Sequence, residues 1–370
     1  MANQQKSYNI MKIIESLWSS GGVSRAEIAR QIRIDRSTVG AIVETLLKQN
    51  IVFEETTSSP KGNSGRPPVI LRLNSSYAYT VGIEIAKDLI HVVATTFSGE
   101  ILFEHTENET VSINQLPDIL ISIIKNTEVT LKNKTVKGLQ AIVIGVSGIV
   151  NRDKGSILAS SDLGITREYI LVDEIEKSFK IPVWLHNDAD TCALGELLYG
   201  DKALNDFLFV LVKNRIDQNP PTINAGLGII LDGNLREAHS GRGREFRSPL
   251  IAPDSPSQFL SAEKMRTGIL TPKQAWRDFA DELGLSLAFL VHALDIEYIV
   301  LGGDAAGEDF QRISSRINHH VNHNTGIYER VPVRLVKPSA KQKPVAYGAS
   351  AAAVKLLFQT RQFSIENIGA

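Results

Sequence analysis

SRAEIARQIRIDRSTVGAIVETLLKQN, residues 24–50, reads as two helices joined by a tight turn. Glu27 follows Ser24 by three residues, a spacing that predicts a capping box at the start of the first helix. Asp35 predicts the N-terminal cap of the second helix, and apolar residues recur behind it at helical spacing. Those residues are Val39, Ile42, Val43, Leu46 and Leu47. The segment is typical of a helix-turn-helix, with an ordinary helical hairpin as the alternative.

The polar residues of this segment predict its contacts with DNA. Arg36, Ser37 and Thr38 occupy the first turn of the second helix. In a helix-turn-helix this end of the second helix meets the base edges. Arg25, at the start of the first helix, is a further predicted DNA-binding residue.

The residues on either side complete a winged form of this motif. Residues 8–18 place apolar side chains on one helical face, which predicts a preceding helix. After residue 50, two apolar runs read as strands and flank the polar, turn-rich residues 56–68. Lys61 and Arg66 lie in that tip, and the following prolines would hold the chain extended while Arg66 reaches into a narrow minor groove. A flexible charged hairpin tip is the alternative.

The composition agrees with a small basic module on a larger acidic body. Residues 1–72 carry ten Lys and Arg against six Asp and Glu, a net charge of +4, whereas the whole chain of 370 residues carries −1. This asymmetry favours nucleic-acid binding by the first part. The single cysteine, Cys192, excludes an intramolecular disulfide and a multi-cysteine zinc cluster. No apolar run is long enough to span a membrane and the N-terminus lacks a signal peptide, so a cytoplasmic protein is expected.

From about residue 75 onward, strands alternate with helices, which predicts an α/β body. The strand-rich start near Tyr79 recurs near Phe207, so two similar lobes with a cleft between them are expected. The predicted domains are a winged head at 1–74 and a body at 75–370. Lobe one would span about 75–200 plus the C-terminal helix, and lobe two about 201–345.

The first loop of the body argues against ATP binding. A loop that cradles phosphates needs glycines, so that backbone amides can approach the phosphate oxygens. Here only Gly82 is present, and Glu84 and Asp88 flank the turn. Two carboxylates facing a triphosphate would repel it, so no nucleotide cofactor is expected.

Two further loops end apolar strands and could hold a polyol. Ser147, in the sequence Gly-Val-Ser-Gly, could donate a hydrogen bond to a sugar hydroxyl, although a simple tight turn explains it as well. Asn187 and Asp188 offer both donors and acceptors at the end of their strand. Asp188 could also act as the general base of a kinase. Capping of the following helix is the alternative for this pair.

A Gly-Arg-rich loop near residue 245 supplies the last candidates. Glu245 would be the carboxylate that closes a site facing Asp188, and Arg242, Arg244 and Arg247 suggest an anionic group nearby. A solvated loop explains the arginines equally well. Farther along, His319 and His323 are spaced to chelate a metal on a helix, but with no third ligand evident no metal is predicted.

Over almost its whole length the chain resembles the ROK family (repressor, open reading frame, kinase). The segments that carry the resemblance are residues 24–47, the wing GRPPVILRLN, VGIEIA with FSGEIL, GVSGIV, the Asn-Asp strand end, GLGIILDGNL and EYIVLGGDA. The resemblance implies an actin-like, two-lobed sugar-kinase fold (ribonuclease H-like) behind a winged helix-turn-helix. It also implies homodimers or homotetramers on palindromic operators and a response to a sugar or sugar derivative.

The chain departs from the pattern of active ROK kinases at two places. Active members carry Asp-x-Gly-x-Thr in the first hairpin, where this chain has Glu84-Ile-Ala-Lys-Asp88. The zinc module of the family uses a His and a Cys-x-Cys-x4-Cys run, whereas Ser248 stands here in place of the His and no cysteine follows. Neither catalysis nor zinc is therefore expected. Asn187, Asp188 and Glu245 match the family, so a polar pocket of altered specificity is expected.

The leading hypothesis from the sequence is a DNA-binding transcriptional regulator of carbohydrate metabolism, and more specifically a repressor. Its partners would be operator DNA and a sugar or sugar phosphate, bound by Ser147, Asn187, Asp188 and Glu245. One rival hypothesis is a sugar kinase fused to a DNA-binding head, with Asp188 as the base. Another is a repressor that senses no ligand and whose cleft is vestigial.

Overall fold

The computed structural model describes residues 2–56, 69–108, 110, 112–200, 204–236, 246–323, 332–339 and 344–359. The helices are α1 Ala2–Ser20, α2 Arg25–Gln31, α3 Arg36–Lys48, α4 Leu116–Thr130, α5 Val172–Phe179, α6 Asp188–Tyr199, α7 Leu260–Arg266, α8 Pro272–Leu294, α9 Phe310–His323 and α10 Pro344–Gln359. The strands are β1 Val52–Thr56, β2 Val69–Leu73, β3 Tyr79–Ala86, β4 Leu89–Thr96, β5 Ile101–Glu107, β6 Leu139–Val146, β7 Ile149–Asn151, β8 Ser156–Ala159, β9 Tyr169–Ile170, β10 Val183–Asn187, β11 Phe207–Arg215, β12 Thr222–Leu231, β13 Asn234–Leu235, β14 Tyr298–Gly303 and β15 Arg334–Val336. Among these helices, no segment has the length and hydropathy that a membrane crossing requires.

The head is a winged helix-turn-helix, as the sequence predicted. The Ser24 hydroxyl accepts a hydrogen bond from the Glu27 amide while the Glu27 carboxylate accepts one from the Ser24 amide, so the capping box is complete. The Asp35 side chain caps α3 by accepting from the Thr38 amide at 2.8 Å. Strands β1 and β2 pair antiparallel from Val52 with Leu73 to Thr56 with Val69. The tip between them, with Lys61 and Arg66, lies outside the described residues.

The two lobes of the body share one strand order. In lobe one the order is β5-β4-β3-β6-β10, and in lobe two it is β13-β12-β11-β14-β15. In both sheets the first three strands of the lobe are antiparallel and the next two join in parallel. This confirms the predicted pair of similar lobes. Ligands of such sheets bind beyond the carboxyl ends of the parallel strands, where the two lobes face each other.

The C-terminal helix α10 packs against lobe one through glycines. A Cβ atom on Gly82 of β3 would lie 1.9 Å from the carbonyl oxygen of Ala346, and one on Gly348 would lie 2.0 Å from that of Thr191 in α6. Neither position has room for a side chain, so the backbones of β3, α6 and α10 are in direct contact. This close approach places α10 between the sheet of lobe one and α6.

The head packs directly on the body. The indole nitrogen of Trp18 in α1 donates to the carbonyl oxygen of Phe97. The Phe97 ring in turn packs against Tyr77 at 5.6 Å and Phe358 at 5.8 Å between ring centroids. The apolar core of the head is therefore continuous with residues of lobe one and α10. The sequence placed a boundary at residue 74 but gave no indication of this contact.

Candidate DNA interface and ligand cleft

Helix α3 presents a polar, uncrowded surface on the outside of the head. Arg36 and Ser37 are exposed, whereas Val39, Ile42, Val43 and Leu46 on the opposite face are buried. A Cβ atom on Gly40 would meet nothing within 4 Å. The first turns of α3 can therefore approach another surface closely, as a recognition helix must in a major groove.

Asp35 orients the two hydroxyls that the sequence assigned to DNA. Its carboxylate accepts hydrogen bonds from the Ser37 hydroxyl, from the Thr38 hydroxyl at 2.6 Å and from the Thr38 amide. These bonds hold the pKa of Asp35 well below its usual range, with the bond from Ser37 as the largest cause. The carboxylate is therefore charged at neutral pH, and it holds Ser37 and Thr38 in one orientation.

Arg25 already has two ion-pair partners within the head. Its guanidinium contacts Glu44 of α3 at 2.9 Å and Glu54 of β1 at 2.7 Å. The side chain thus ties α2 to α3 and to the wing. Its predicted contact with DNA remains a prediction, and phosphate would have to compete with two carboxylates for it.

In lobe one, strand ends bring the predicted ligand residues together. Glu84 of β3 pairs in register with Gly145 of β6, and Val146 of β6 pairs with Asn187 of β10. Ser147 and Asp188, which follow directly, therefore lie at the same carboxyl-terminal edge. Ser147 is half-buried there.

Asn187 serves as the N-terminal cap of α6, which was the structural alternative for this residue. Its side-chain oxygen accepts from the Ala189 amide at 3.0 Å, and its side-chain nitrogen donates to the Gly148 carbonyl at 3.1 Å. Only 5% of the residue is exposed. Asn187 therefore fixes the loop that carries Ser147, and its direct contact with a ligand remains a prediction.

Asp188 forms an ion pair that the sequence did not reveal. Its Oδ2 lies 2.6 Å from the Nζ of Lys213, and Asp162 Oδ2 lies 3.6 Å from the same nitrogen. Its Oδ1 accepts from the Ala189 amide at 2.9 Å. Because Lys213 belongs to β11, the pair links lobe two to lobe one.

Lys213 stays charged in this position. Burial alone would lower the pKa of its ammonium, but the carboxylates of Asp188, Asp162 and Glu84 outweigh burial and raise it above the usual value. The only sequence signal for this residue was a basic side chain directly after the apolar run Phe207–Val212, where a glycine or hydroxyl residue would suit a phosphate loop.

A cavity of about 430 Å³ lies between the lobes, and Asp162 lines it, whereas Asp188 and Lys213 are not among its lining residues. Lobe one contributes the β3–β4 hairpin and residues 161–164, which include Asp162. Lobe two contributes the β11–β12 hairpin, whose tip contains a cis peptide bond before Pro220. Both polar and apolar residues line the walls, among them Ile85, Lys87, Ile90, Asp162, Leu163, Gln218, Asn219, Pro220 and Asn224. This mixture suits a sugar, which has hydroxyl edges and an apolar ring face.

The other predicted site residues lie outside the described part of the chain or have different partners. Glu245, Arg242 and Arg244 lie outside the described residues. Arg247 donates to the carbonyls of Ala252, Pro253 and Ser255, so it holds its own loop rather than facing an anion. The ring of His323 bonds to the carbonyl of His319 at 2.9 Å, and among the described residues no three metal-ligating side chains cluster.

A winged helix-turn-helix on a two-lobed, actin-like body defines a class of DNA-binding regulators built on a sugar-kinase fold. The chain belongs to the ROK family. The model described as "ROK family" matches residues 80–246. A putative xylose repressor of Caldicellulosiruptor sp. (strain Rt8B.4) is 30% identical over 362 residues, covering 83% of this chain and 87% of the relative.

Two further similarities extend over almost the whole chain. The xylose repressor of Caldicellulosiruptor bescii is 23% identical, covering 94% of this chain and 95% of its own length. Among solved structures, a ROK family transcriptional regulator described as a homolog of the E. coli MLC protein superposes with a TM-score of 0.72 at 17% identity. That match covers 96% of this chain and 97% of the other, so the two share the fold of head and body together.

Proposed function

We propose that this chain is a transcriptional repressor whose binding to operator DNA is controlled by a sugar in the cleft between its lobes. One combination of features carries the proposal. The chain has a winged head, and in its kinase-like body the ammonium of Lys213 pairs with the carboxylate of Asp188. These features favour DNA binding, rather than phosphoryl transfer, as the activity of the protein. The similarity to proteins named xylose repressor supports the same proposed function.

The head would bind one half-site of the operator. Arg36, Ser37 and Thr38 would read bases in the major groove, while Lys61 and Arg66 of the wing would contact the backbone and the minor groove. A homodimer would place two heads on a palindromic site, with half-sites separated by about one helical turn or a multiple of it. Such a protein acts in the cytoplasm. Phosphate contacts supply much of the affinity, so binding should weaken steeply with salt.

The effector would be a neutral sugar, and the names of the relatives suggest an aldopentose such as xylose. Among the described residues, the three carboxylates that surround Lys213 (Glu84, Asp162 and Asp188) outnumber that ammonium and Lys87, a cation that lines the cavity. A phosphate group would meet net negative charge, which disfavours a sugar phosphate. Ser147, Asn187 and Asp188, together with Glu245, would supply hydrogen bonds to the hydroxyls.

The kinase alternative has less support. A general base must take the proton of the attacking hydroxyl, but Oδ2 of the buried Asp188 is held by an ammonium at 2.6 Å. Glu84, which is 8% exposed, lies where a triphosphate would approach. Both features oppose phosphoryl transfer on electrostatic grounds.

Fluorescence anisotropy with a labelled promoter fragment from the chain's own genomic neighbourhood tests the proposal. D-xylose should weaken binding of the protein at least about fivefold, the lower end of usual allosteric couplings, whereas D-xylose 5-phosphate should not. Thermal shift should show stabilisation by the same sugar. If no pentose or hexose changed the affinity for the operator, the result would contradict control by a sugar. ATP consumption in a coupled assay that disappears in Asp188→Asn would establish the kinase instead.

A further inference from the structure

We propose that a second cavity, close to the head and to both lobes, is a binding site for a small free oxyanion of the size of inorganic phosphate. The cavity has a volume of about 180 Å³ and shares no lining residue with the cleft. Its polar lining residues are Arg152, His186, Asn234, Lys355 and Gln359. Because the cavity is distinct from the cleft, its ligand is independent of the proposed control by a sugar.

The lining of this cavity carries positive charge. Arg152 and Lys355 are permanent cations, and within the described part of the chain none of the lining residues has a carboxylate. Glu15 pairs with Lys355 at 2.8 Å, but it is not a lining residue and it also pairs with Lys12 at 3.0 Å. One carboxylate shared by two ammonium groups neutralises Lys355 only in part. The charge therefore favours an anion as the ligand.

Buried side chains of this cavity supply N–H donors. Lys355 is 4% exposed and His186 is 1% exposed. An ammonium has three N–H donors, and Glu15 and the Gly233 carbonyl accept two of those of Lys355, which leaves the third for a ligand. The half-buried Arg152 adds a planar guanidinium, whose paired N–H groups match two oxygens of one phosphate. An oxyanion, which accepts hydrogen bonds at every oxygen, fits such a lining.

The volume of the cavity limits the size of the anion. An apolar cavity of about 150 Å³ can hold benzene, which has six heavy atoms. At about 180 Å³ this cavity has room for the five heavy atoms of phosphate, but not for a sugar phosphate, which has about three times as many. The ligand is therefore a free oxyanion rather than the phosphate group of a phosphorylated sugar.

An anion in this cavity would contact both lobes. Arg152 and His186 belong to lobe one, whereas Asn234 belongs to β13 of lobe two. The side-chain nitrogen of Asn234 donates to the Asp232 carbonyl at 2.8 Å and has a second N–H for the anion. Bound phosphate would stabilise this arrangement of the lobes, and it should raise the melting temperature as any ligand of the folded state does.

Isothermal titration of the full-length protein with inorganic phosphate, in a phosphate-free buffer of fixed ionic strength, tests this site. Wild-type protein should bind phosphate at one site per chain. Arg152→Gln should raise the dissociation constant at least about tenfold, because a charge-assisted pair of hydrogen bonds is lost. Lys355→Met keeps most of the bulk of the side chain and should also weaken binding about tenfold.

Lys154→Gln is the matched control. Lys154 lies in the same turn as Arg152, its side chain is 63% exposed, and it does not line the cavity. The substitution removes the same charge as Arg152→Gln, so it separates the site from the net charge of the protein. Its affinity for phosphate should equal that of the wild type. Melting temperatures without phosphate report whether each variant is folded, and if one does not fold the other carries the test.

Phosphate binding in this cavity is refuted if wild-type protein shows no saturable binding, or if a folded Arg152→Gln or Lys355→Met protein binds phosphate as tightly as Lys154→Gln does. If D-xylose 5-phosphate bound as tightly as phosphate and lost affinity in Arg152→Gln, the restriction to a free oxyanion would be wrong. Control by a sugar is measured separately with D-xylose, so none of these results decides the proposed function.

Discussion

Asp35 illustrates how one carboxylate links folding to recognition. It caps α3 and also accepts from the hydroxyls of Ser37 and Thr38, the side chains predicted to read DNA. Asp35→Ala should lower the melting temperature of the head and weaken operator binding several-fold, because the first turn of α3 would fray. Asp35→Asn keeps an acceptor and should retain most of both. Equal operator affinity in Asp35→Ala and wild type would show that the cap does not position the reading residues.

The pH dependence of this cap has a defined sign. The pKa of Asp35 is lowered in the folded head, so its stabilisation is fully present above the unfolded value of about 3.9. It is lost only as the pH falls below that value toward the folded pKa. Operator affinity measured between pH 6 and pH 8 should therefore not change through Asp35, and the difference in melting temperature between wild type and Asp35→Ala should shrink in acid.

Local sequence patterns predicted the helices of the head, whereas the ion pair of Asp188 and Lys213 could not be predicted from them. Ser24, Glu27 and Asp35 act within three residues of their partners, so spacing alone located two helix starts. Lys213 acquires its role only because the fold brings β11 of one lobe beside Asp188 of the other. Strand ends indicated Ser147, Asn187 and Asp188 correctly as neighbours in lobe one. The helix-capping role of Asn187 and the contribution of Asp162 depend on packing that no short pattern contains.

The packing of α10 on α6 gives a test of how tightly these helices must meet. A Cβ atom on Gly348 would lie 2.0 Å from the Thr191 carbonyl, so Gly348→Ala forces α10 away from α6. Although alanine favours helix by about 1 kcal/mol, the overpacking should dominate and destabilise the body by about 1–3 kcal/mol in urea unfolding. Gly40→Ala is the matched control, because that mid-helix position is open and should gain stability. A Gly348→Ala protein as stable as wild type would contradict this helix contact.

The molecule as a whole is joined at Lys355. This side chain of α10 is 4% exposed. Its ammonium contacts Glu15 of α1 at 2.8 Å and the Gly233 carbonyl, in the β12–β13 turn of lobe two, at 3.4 Å. Head, lobe one and lobe two therefore meet at one charged group. His186, which precedes the Asn187–Asp188 strand end, lines a cavity of about 180 Å³ together with Lys355. A movement of lobe two relative to lobe one would change the contacts of Lys355. Because Lys355 also contacts Glu15, the same movement would change the position of α1 on the body.

Replacing Lys355 should therefore uncouple the cleft from the head. In Lys355→Met the wild-type affinity for D-xylose should persist, since the residue lies outside the cleft, but the sugar-induced loss of operator affinity should shrink severalfold. Glu15 would keep Lys12 as a partner at 3.0 Å, which limits the loss of stability. Lys12→Met is the matched control, because Lys12 contacts the same carboxylate from within α1, and its coupling should remain as in wild type. Titrations of operator with and without sugar give the coupling as the ratio of two dissociation constants. If that ratio were the same in Lys355→Met and in wild type, the signal would reach the head by another contact, for which the Trp18–Phe97 hydrogen bond is the next to test.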